Sequence, residues 1–441
     1  MRMPRYVRAR GWRYGLHLKI PRPRVVSRLA GGFWLLVVFL GDAAAQRADA
    51  FFDRIEEMLT VSALDDRVRV RLSGTVDLEA YRFSRPAPAL IETEEEALVN
   101  PRLSLFLDGQ LGQRAYVFLQ SRVDRGFDPR DASADVRLDE YALRLRPADA
   151  DFHVQVGKFA TVVGNWTNRH GSWTNPFVTA PLVYESLTGI WDVEALRSFD
   201  TLLRWSHVRP GLAPHLARVE KSLRVPVIWG PSYATGLAFS GEHEKFRYAF
   251  EVKNASLSSR PSAWGRFSGQ WKHPTLSGRI GYRPNQAWNL GLSASGGSYL
   301  VPVADATVMP GKNRGDYRQF VLAHDASFAW RHLQLWGEIY ATRFELPNLG
   351  DAETVAYYVE GKYKLTPQLF GALRWNQQFF RSVPDGARRA KWGRDASRIE
   401  FGAGYRFSTH TQFKLQYNLQ RGDVDGRDSS HLWAAQLTAR F

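Results

Sequence analysis

The sequence contains no cysteine. That removes disulfide frameworks and thiol chemistry, and it suits an oxidising compartment where stray thiols interfere with assembly. Beyond residue 45 there is no apolar run of the roughly 20 residues that a membrane-crossing helix needs. Mean hydropathy is slightly negative, at −0.34. Signatures of catalysis are missing too: no phosphate-cradling Gly-Lys-Ser/Thr loop, no H-E-x-x-H zinc helix and no serine elbow flanked by glycines. The eleven histidines are dispersed. Of these, His207 and His215 are too far apart for a helical ligand pair and have no third partner nearby. No enzymatic role, cofactor or metal is expected.

The formal charge of +15 raises the question of nucleic acid, but residues 1–45 hold nine Lys or Arg and one acid, so +8 of it lies there. The remaining charge is spread thinly, with no basic helix and no aromatic-basic motif, which argues against nucleic acid as a partner.

What the chain does have is 13% aromatic residues arranged in alternating stretches. Between Arg69 and Ala80, Val70, Leu72, Val76 and Leu78 alternate with Arg69, Arg71, Asp77 and Glu79. Similar alternation recurs around Leu103–Asp108, Val355–Lys364, Ile399–Phe407 and Phe413–Gln420. It returns in the closing stretch from Ser430 to Phe441, where Trp433, Ala435, Leu437, Ala439 and Phe441 share one side. Period two with one apolar face is a strand signal. Alternation hides its hydrophobicity in the average, because every second residue faces water, as in outer-membrane barrels. A chain that stops on an aromatic strand fits a closing strand that pairs with the first one.

Connections alternate as well. Short turns fall near Gly112, Pro147, His243, Pro284, Arg331, Pro367 and Thr409. Longer polar or Pro/Gly-rich loops lie at 83–99, 125–135, 161–186, 209–232, 258–275, 301–316, 345–352, 381–396 and 422–429. This predicts an all-β fold, a transmembrane antiparallel β-barrel of about 18 strands over 69–441, with 16 as the alternative if 187–208 holds no strands. Both chain ends then lie on the short-turn, periplasmic side. Ahead of the barrel, residues 1–45 read as a signal peptide with an over-long basic leader. The run FWLLVVFLG and the Ala43-Ala44-Ala45 site place cleavage after Ala45, and the true start falls near Val25 or Val26. Residues 46–68 form a short periplasmic segment whose Phe52, Ile55 and Leu59 spacing predicts a helix over 48–64.

Parity assigns the lumen. With the apolar set outward, Arg69, Arg71, Arg102, Arg122, Arg144, Arg146, Arg279, Arg283, Arg374, Arg398, Arg406, Lys362 and Lys414 face inward. So do Asp77, Glu79, Asp108, Asp124, Glu251, Glu360 and Glu400. The 161–186 loop has neither alternation nor strong charge, and long ordered connections usually have a task. Its Trp166, Trp173, Phe177 and Tyr184 are costly to leave in solvent. The loop is therefore expected to fold into the barrel and set Arg169 and His170 on the solute path. Two outer loops are charged, one acidic (Glu92, Glu94, Glu95, Glu96) and one basic (Arg388, Arg389, Lys391, Arg394). Either could meet lipopolysaccharide or remain solvated.

RIGYRPNQAWNLGLSASGGSYL (279–300), GEIYATRFELP (337–347) and YYVEGKYKLTPQLFGALRWNQQFF (357–380) resemble segments of the phosphate-selective porin O and P family, and VQVGKFATVVGNW (154–166) resembles its strand leading into a long inner loop. The resemblance implies a passive, water-filled channel for small hydrophilic solutes in the outer membrane of a Gram-negative-type bacterium, usually a homotrimer. It further implies anion, phosphate-like selectivity carried by constriction lysines and inward arginines. Lys158 lies near the expected constriction, and the other candidates here are arginines. The rival readings are a carbohydrate channel with an aromatic slide and a structural or adhesive barrel.

Overall fold

The computed structural model describes residues 42–84, 87–91, 93, 95–124, 135–147, 151–204, 223–265, 270–347, 349–422 and 429–441. Residues 1–41 of the expected 1–45 signal peptide and parts of several expected loops, including 125–134 and 205–222, lie outside the described residues. Helix α1 spans Asp42–Met58, reaching back across the expected cleavage point after Ala45, and is followed by a short strand β1 (Thr60–Ala63). The barrel begins with β2 (Val68–Phe83), β3 (Ala97–Leu111), β4 (Ala115–Asp124), β5 (Asp135–Leu145) and β6 (Phe152–Phe159). A long connection follows, holding the small strands β7 (Leu187–Trp191) and β8 (Arg224–Pro226).

Barrel strands resume with β9 (Ala234–His243), β10 (Phe246–Lys253), β11 (Thr275–Tyr282), β12 (Trp288–Ser298) and β13 (Arg318–Trp330). They continue with β14 (Leu333–Leu346), β15 (Gly350–Lys364) and β16 (Leu369–Phe380). An outer hairpin of β17 (Ser382–Asp385) and β18 (Arg388–Lys391) intervenes before β19 (Ala396–Arg406), β20 (Thr411–Arg421) and β21 (Ser429–Arg440).

Each barrel strand pairs antiparallel with its neighbours, and β21 pairs with β2 from Thr75↔Arg440 to Phe83↔Leu432, which closes a 16-stranded barrel. The strand number is the smaller of the two expectations. The difference is local: the described residues 187–204 contribute no spanning strand, and β6 pairs directly with β9, so the expected loops 161–186 and 209–232 belong to one connection between Ala160 and Tyr233. All seven expected short turns join consecutive barrel strands. The 345–352 loop is instead a tight hairpin between β14 and β15, with Leu346 opposite Gly350.

Closure is a physical requirement, because lipid offers unpaired backbone groups no hydrogen-bond partners. The Gly74 and Phe441 backbones exchange hydrogen bonds of 2.8 and 3.0 Å, and below them β1 takes over as the neighbour of β2. The outer face is apolar, with Val76, Ile280, Leu292, Leu322, Val359 and Trp433 between 49% and 61% exposed. Phe246, Tyr282, Trp288, Trp330, Tyr363 and Tyr405 stand at the short-turn rim as an aromatic girdle. Alternate residues point inward; many are polar or charged, while Val321, Ala323, Tyr340, Ala356 and Tyr358 form an apolar patch that packs against the inward connection.

Gly74 leaves the space in which the terminal Phe441 ring lies against β2. A Cβ there would lie 2.5 Å from the Phe441 ring. Gly74→Leu should therefore block the seam between β2 and β21, losing most of the folded, heat-modifiable band on refolding into detergent. The same substitution at Gly371, where a Cβ meets nothing within 4 Å, should leave that band intact.

Candidate functional site: the inward loop and the residual lumen

The Ala160–Tyr233 connection turns into the barrel because the wall opposite its origin carries groups that satisfy its backbone. At Gly164 the backbone takes φ +76°, and a Cβ would lie 2.2 Å from the Tyr340 hydroxyl. This brings the Asn165 and Trp166 amides onto Glu338 Oε1, the latter at 2.7 Å. The Tyr184 hydroxyl donates to Glu338 Oε2 at 2.8 Å. Arg169 pairs with Glu360, donates to the Tyr358 hydroxyl at 3.0 Å and lies over the Trp336 ring at 4.5 Å.

Farther along, Arg374 bridges Glu360 and Glu400, donates to the Thr179 carbonyl at 2.9 Å and covers the Phe177 ring at 4.4 Å. Arg398 binds Glu185, Glu400 and the Ala180 carbonyl. Lys414 Nζ donates to three loop carbonyls, of Ser172, Asn175 and Phe177, at 2.8, 2.9 and 3.0 Å. Gln416 Oε1 accepts from the Val178 amide at 2.6 Å, and Asn376 Oδ1 from the Leu182 amide at 3.1 Å. These anchors all stand on β14, β15, β16, β19 and β20. The loop is thus fixed to one side of the barrel.

Space remains on the other side, against β2, β3 and β4. A cavity of about 700 Å³ opens toward the short-turn rim, lined by Arg71, Asp77, Arg102, Arg122, Trp173 and Arg440 among others. A smaller one, about 210 Å³, lies toward the long loops beside Glu79, Arg102, Arg122, Asp124, Glu185 and Arg398. Arg102 and Arg122 border both cavities. Arg102 pairs with Asp77 at 3.0 Å and Glu79 at 2.6 Å. Arg122 and Arg137 share Asp124 at 2.8 and 2.6 Å and both reach Asp139. In these pairs the guanidiniums keep 16–17% exposure while the carboxylates are 1–2% exposed. The cations therefore form the surface, and the acids stand behind them.

The expected constriction residues separate into two groups. His170 and Trp173 border the larger cavity. The Arg406 and Arg440 guanidiniums both lie over the Trp173 ring, at 5.0 and 4.1 Å. Trp166 is buried against Tyr184 at 4.5 Å, and Arg169 is buried in its ion pair, so both anchor the loop and border neither cavity. Lys158 is not a lumen residue. Its partners across the sheet, Tyr141 and Thr235, belong to the outer-facing register of Leu143, Val156 and Leu237, and its Nζ bonds the Leu138 carbonyl at 2.7 Å. The resemblance placed it by segment, whereas facing is decided by parity.

Among the expected lining residues, Arg71 and Arg398 border one cavity each, and Arg374 is fully buried beneath the loop. Arg279 pairs with Asp325 at 2.7 Å on the β11–β13 wall, and Arg144 bonds Gln155 at 2.9 Å. Arg406 stacks on Trp173 as described. Arg69, Arg146 and Arg283 are exposed at the short-turn ends of their strands. Sequence reasoning missed Arg137 and Asp139. Residue 139 is the extra residue of a bulge, since Gln120 pairs with Glu140 and Ser121 with Leu138. A bulge re-aims side chains, so parity counted back from Arg144 puts Arg137 on the wrong face. Glu338 was also missed; its only signal is a carboxylate at the same parity as Tyr340, between Trp336 and Thr342 on β14.

His170 connects loop and wall. Its Nδ1 meets the Thr167 carbonyl at 2.5 Å, and Nε2 meets the Tyr233 hydroxyl at 2.6 Å. A carbonyl only accepts, so Nδ1 carries the hydrogen and Nε2 accepts from Tyr233. Desolvation of the ring pushes its pKa down to about 4 from the usual 6.5. The unfolded chain therefore binds a proton that the folded loop refuses, and this contribution is whole above pH 6.5 and lost as pH falls through 4. Limited proteolysis of the loop should accelerate across that window in the native protein, and His170→Gln should flatten the dependence.

No family model matches the chain, so the resemblance to the phosphate-selective porin O and P family rests on its strand-and-turn segments alone. No curated protein matches either. Among solved structures, the chain is similar to the outer membrane channel DcaP of Acinetobacter baumannii at 13% identity and a TM-score of 0.53, covering 86% of this chain and 100% of that one. It is similar to OmpF of Salmonella typhi, solved with daunomycin, at 13% identity and a TM-score of 0.52 over 86% and 100%. The anion-selective porin from Comamonas acidovorans is 12% identical with a TM-score of 0.51 over 85% and 100%. The fold of this chain is that of the bacterial outer-membrane porins.

Proposed function

We propose that the protein is an outer-membrane porin: a water-filled channel through which small hydrophilic solutes diffuse passively, with a preference for anions of the phosphate or carboxylate kind. The preference rests on one observation: the Arg102 and Arg122 side chains, which border both cavities, keep some exposure while the carboxylates they pair with are buried. A solute moving between the cavities meets donors before it meets acceptors. A narrow polar passage with low-dielectric walls focuses such a field and raises the local anion concentration. The oriented barrel would set the long loops outside and the short turns in the periplasm. Homotrimeric assembly is part of this reading, and one similar structure is a trimer form of the Vibrio cholerae outer membrane protein OmpT. The aromatic-slide alternative is weaker, because Trp166 is buried and the Trp173 ring is already engaged by two guanidiniums.

Single channels in a potassium chloride gradient should give a reversal potential of anion-preferring sign. Replacing both Arg102 and Arg122 by Gln should bring it close to zero and leave the folded barrel intact by heat modifiability. A cation-preferring native channel would remove the anion reading. Liposome swelling equal for neutral sugars and phosphate would leave a general porin.

A further inference from the structure

The channel reading leaves helix α1 without a task. Its Asp53 and Glu56 stand at i and i+3, hence on one face, and both line the larger cavity at the short-turn rim. His410, on the tight turn between β19 and β20, faces them and is 5% exposed. One ligand atom from each of the three lies within 4.8 Å of the others. The turn that carries His410 is fixed by Ser408, whose hydroxyl accepts from the His410 and Thr411 amides at 3.1 Å each.

The ring itself carries the second observation. His410 Nδ1 lies 2.9 Å from the Arg440 carbonyl, which can only accept, so Nδ1 is the donor. In the neutral ring this leaves the Nε2 lone pair pointing at Asp53 Oδ1, also at 2.9 Å. Two acceptors do not hold each other at that distance; a cation, either a proton or a metal ion, has to join them. Orientation of a ligating ring through its other nitrogen is how metal-binding histidines are commonly held. Arg71 occupies Oε1 of Glu56 and leaves Oε2 over. The Arg440 guanidinium is drawn away onto Trp173 and the Thr409 carbonyl. Phe52 stacks on the His410 ring at 5.5 Å and shields it.

We propose that Asp53, Glu56 and His410 form a site for a divalent transition metal of the zinc kind, which fastens α1 across the short-turn rim of the barrel. One imidazole nitrogen and two carboxylates make a three-ligand set that zinc accepts with water in the fourth position. The bound ion would hold a helix at the mouth of the larger cavity, so its occupancy would also modify access to the lumen.

The test is calorimetric titration of zinc chloride into the detergent-solubilised protein, purified without a histidine tag. One zinc per chain is expected, with binding weakened by more than about tenfold in both His410→Ala and Asp53→Asn. Asp53 is exposed, so its variant keeps the barrel even if the histidine variant folds poorly. Zinc should also slow tryptic cleavage after Arg54 in the native protein and not in Asp53→Asn. Absence of saturable zinc binding would overturn the proposal and assign the contact to a protonated histidine. Binding of equal strength in the native protein and Asp53→Asn would overturn it by placing the zinc at other histidines.

Discussion

The constraint from which the rest follows is the burial of Arg374 between Glu360 and Glu400. None of the three is accessible to solvent, and the guanidinium also holds a carbonyl of the inward loop. A buried ion pair contributes little net stability over an apolar replacement, but removing one partner leaves an uncompensated charge at a cost of about 3–5 kcal/mol. The loop supplies the covering that makes this burial possible, and the wall supplies donors and acceptors to a loop backbone that has few of its own. Glu338, Lys414 and Gln416 repeat the arrangement above and below. Neither part is satisfied without the other.

From that mutual satisfaction comes the shape of the lumen. The loop's anchors run from Glu251 on β10, through Ser293 on β12 and Gln319 on β13, to Gln416 on β20, so the loop occupies that side of the barrel and leaves the β2–β4 side open. The chemistry of the open side follows from strand geometry. Asp77 and Glu79 are short or backbone-proximal acids at inward positions, and Arg102 reaches across the next strand to meet both. The long guanidinium stems therefore end nearer the axis than the carboxylates they pair with. A lumen near charge balance can in this way present one sign to a passing solute.

The architecture was legible in the sequence because barrel strands write their facing in parity, and because short turns mark every second connection. Where those signals hold, as in β2, β15, β20 and β21, the inward residues come out by counting. Three places resist. In 187–204 the short apolar stretch around Ile190 and Trp191 does form a strand, β7, but it pairs with β8 inside the connection and fills the loop's own core instead of spanning the wall. At Asp139 one extra residue reverses the count and moves Arg137 from the lipid side to the lumen. At Lys158 the segment resemblance says nothing of facing, and the register sets the residue opposite Tyr141 and Thr235. The anchors of the loop were the least legible of all. A glutamate such as Glu338 gives no local sign that it will receive two amides from residues more than 170 positions away.

The seam of the barrel adds a last constraint that connects its two ends. Strand β21 covers β2 only from Thr75 upward, and the lower part of β2 would be a bare edge. An unpaired edge in lipid is not tolerated, so the chain must supply another neighbour, and β1 does so at Val68–Arg71. Because β1 follows α1 after a single residue, closing the seam also delivers the helix to the short-turn rim. Its acidic face then meets Arg71 and His410, which the same seam has placed there. The position of α1 at the mouth is thus a consequence of barrel closure, and the cluster it completes with His410 arises where first strand, last strand and helix converge.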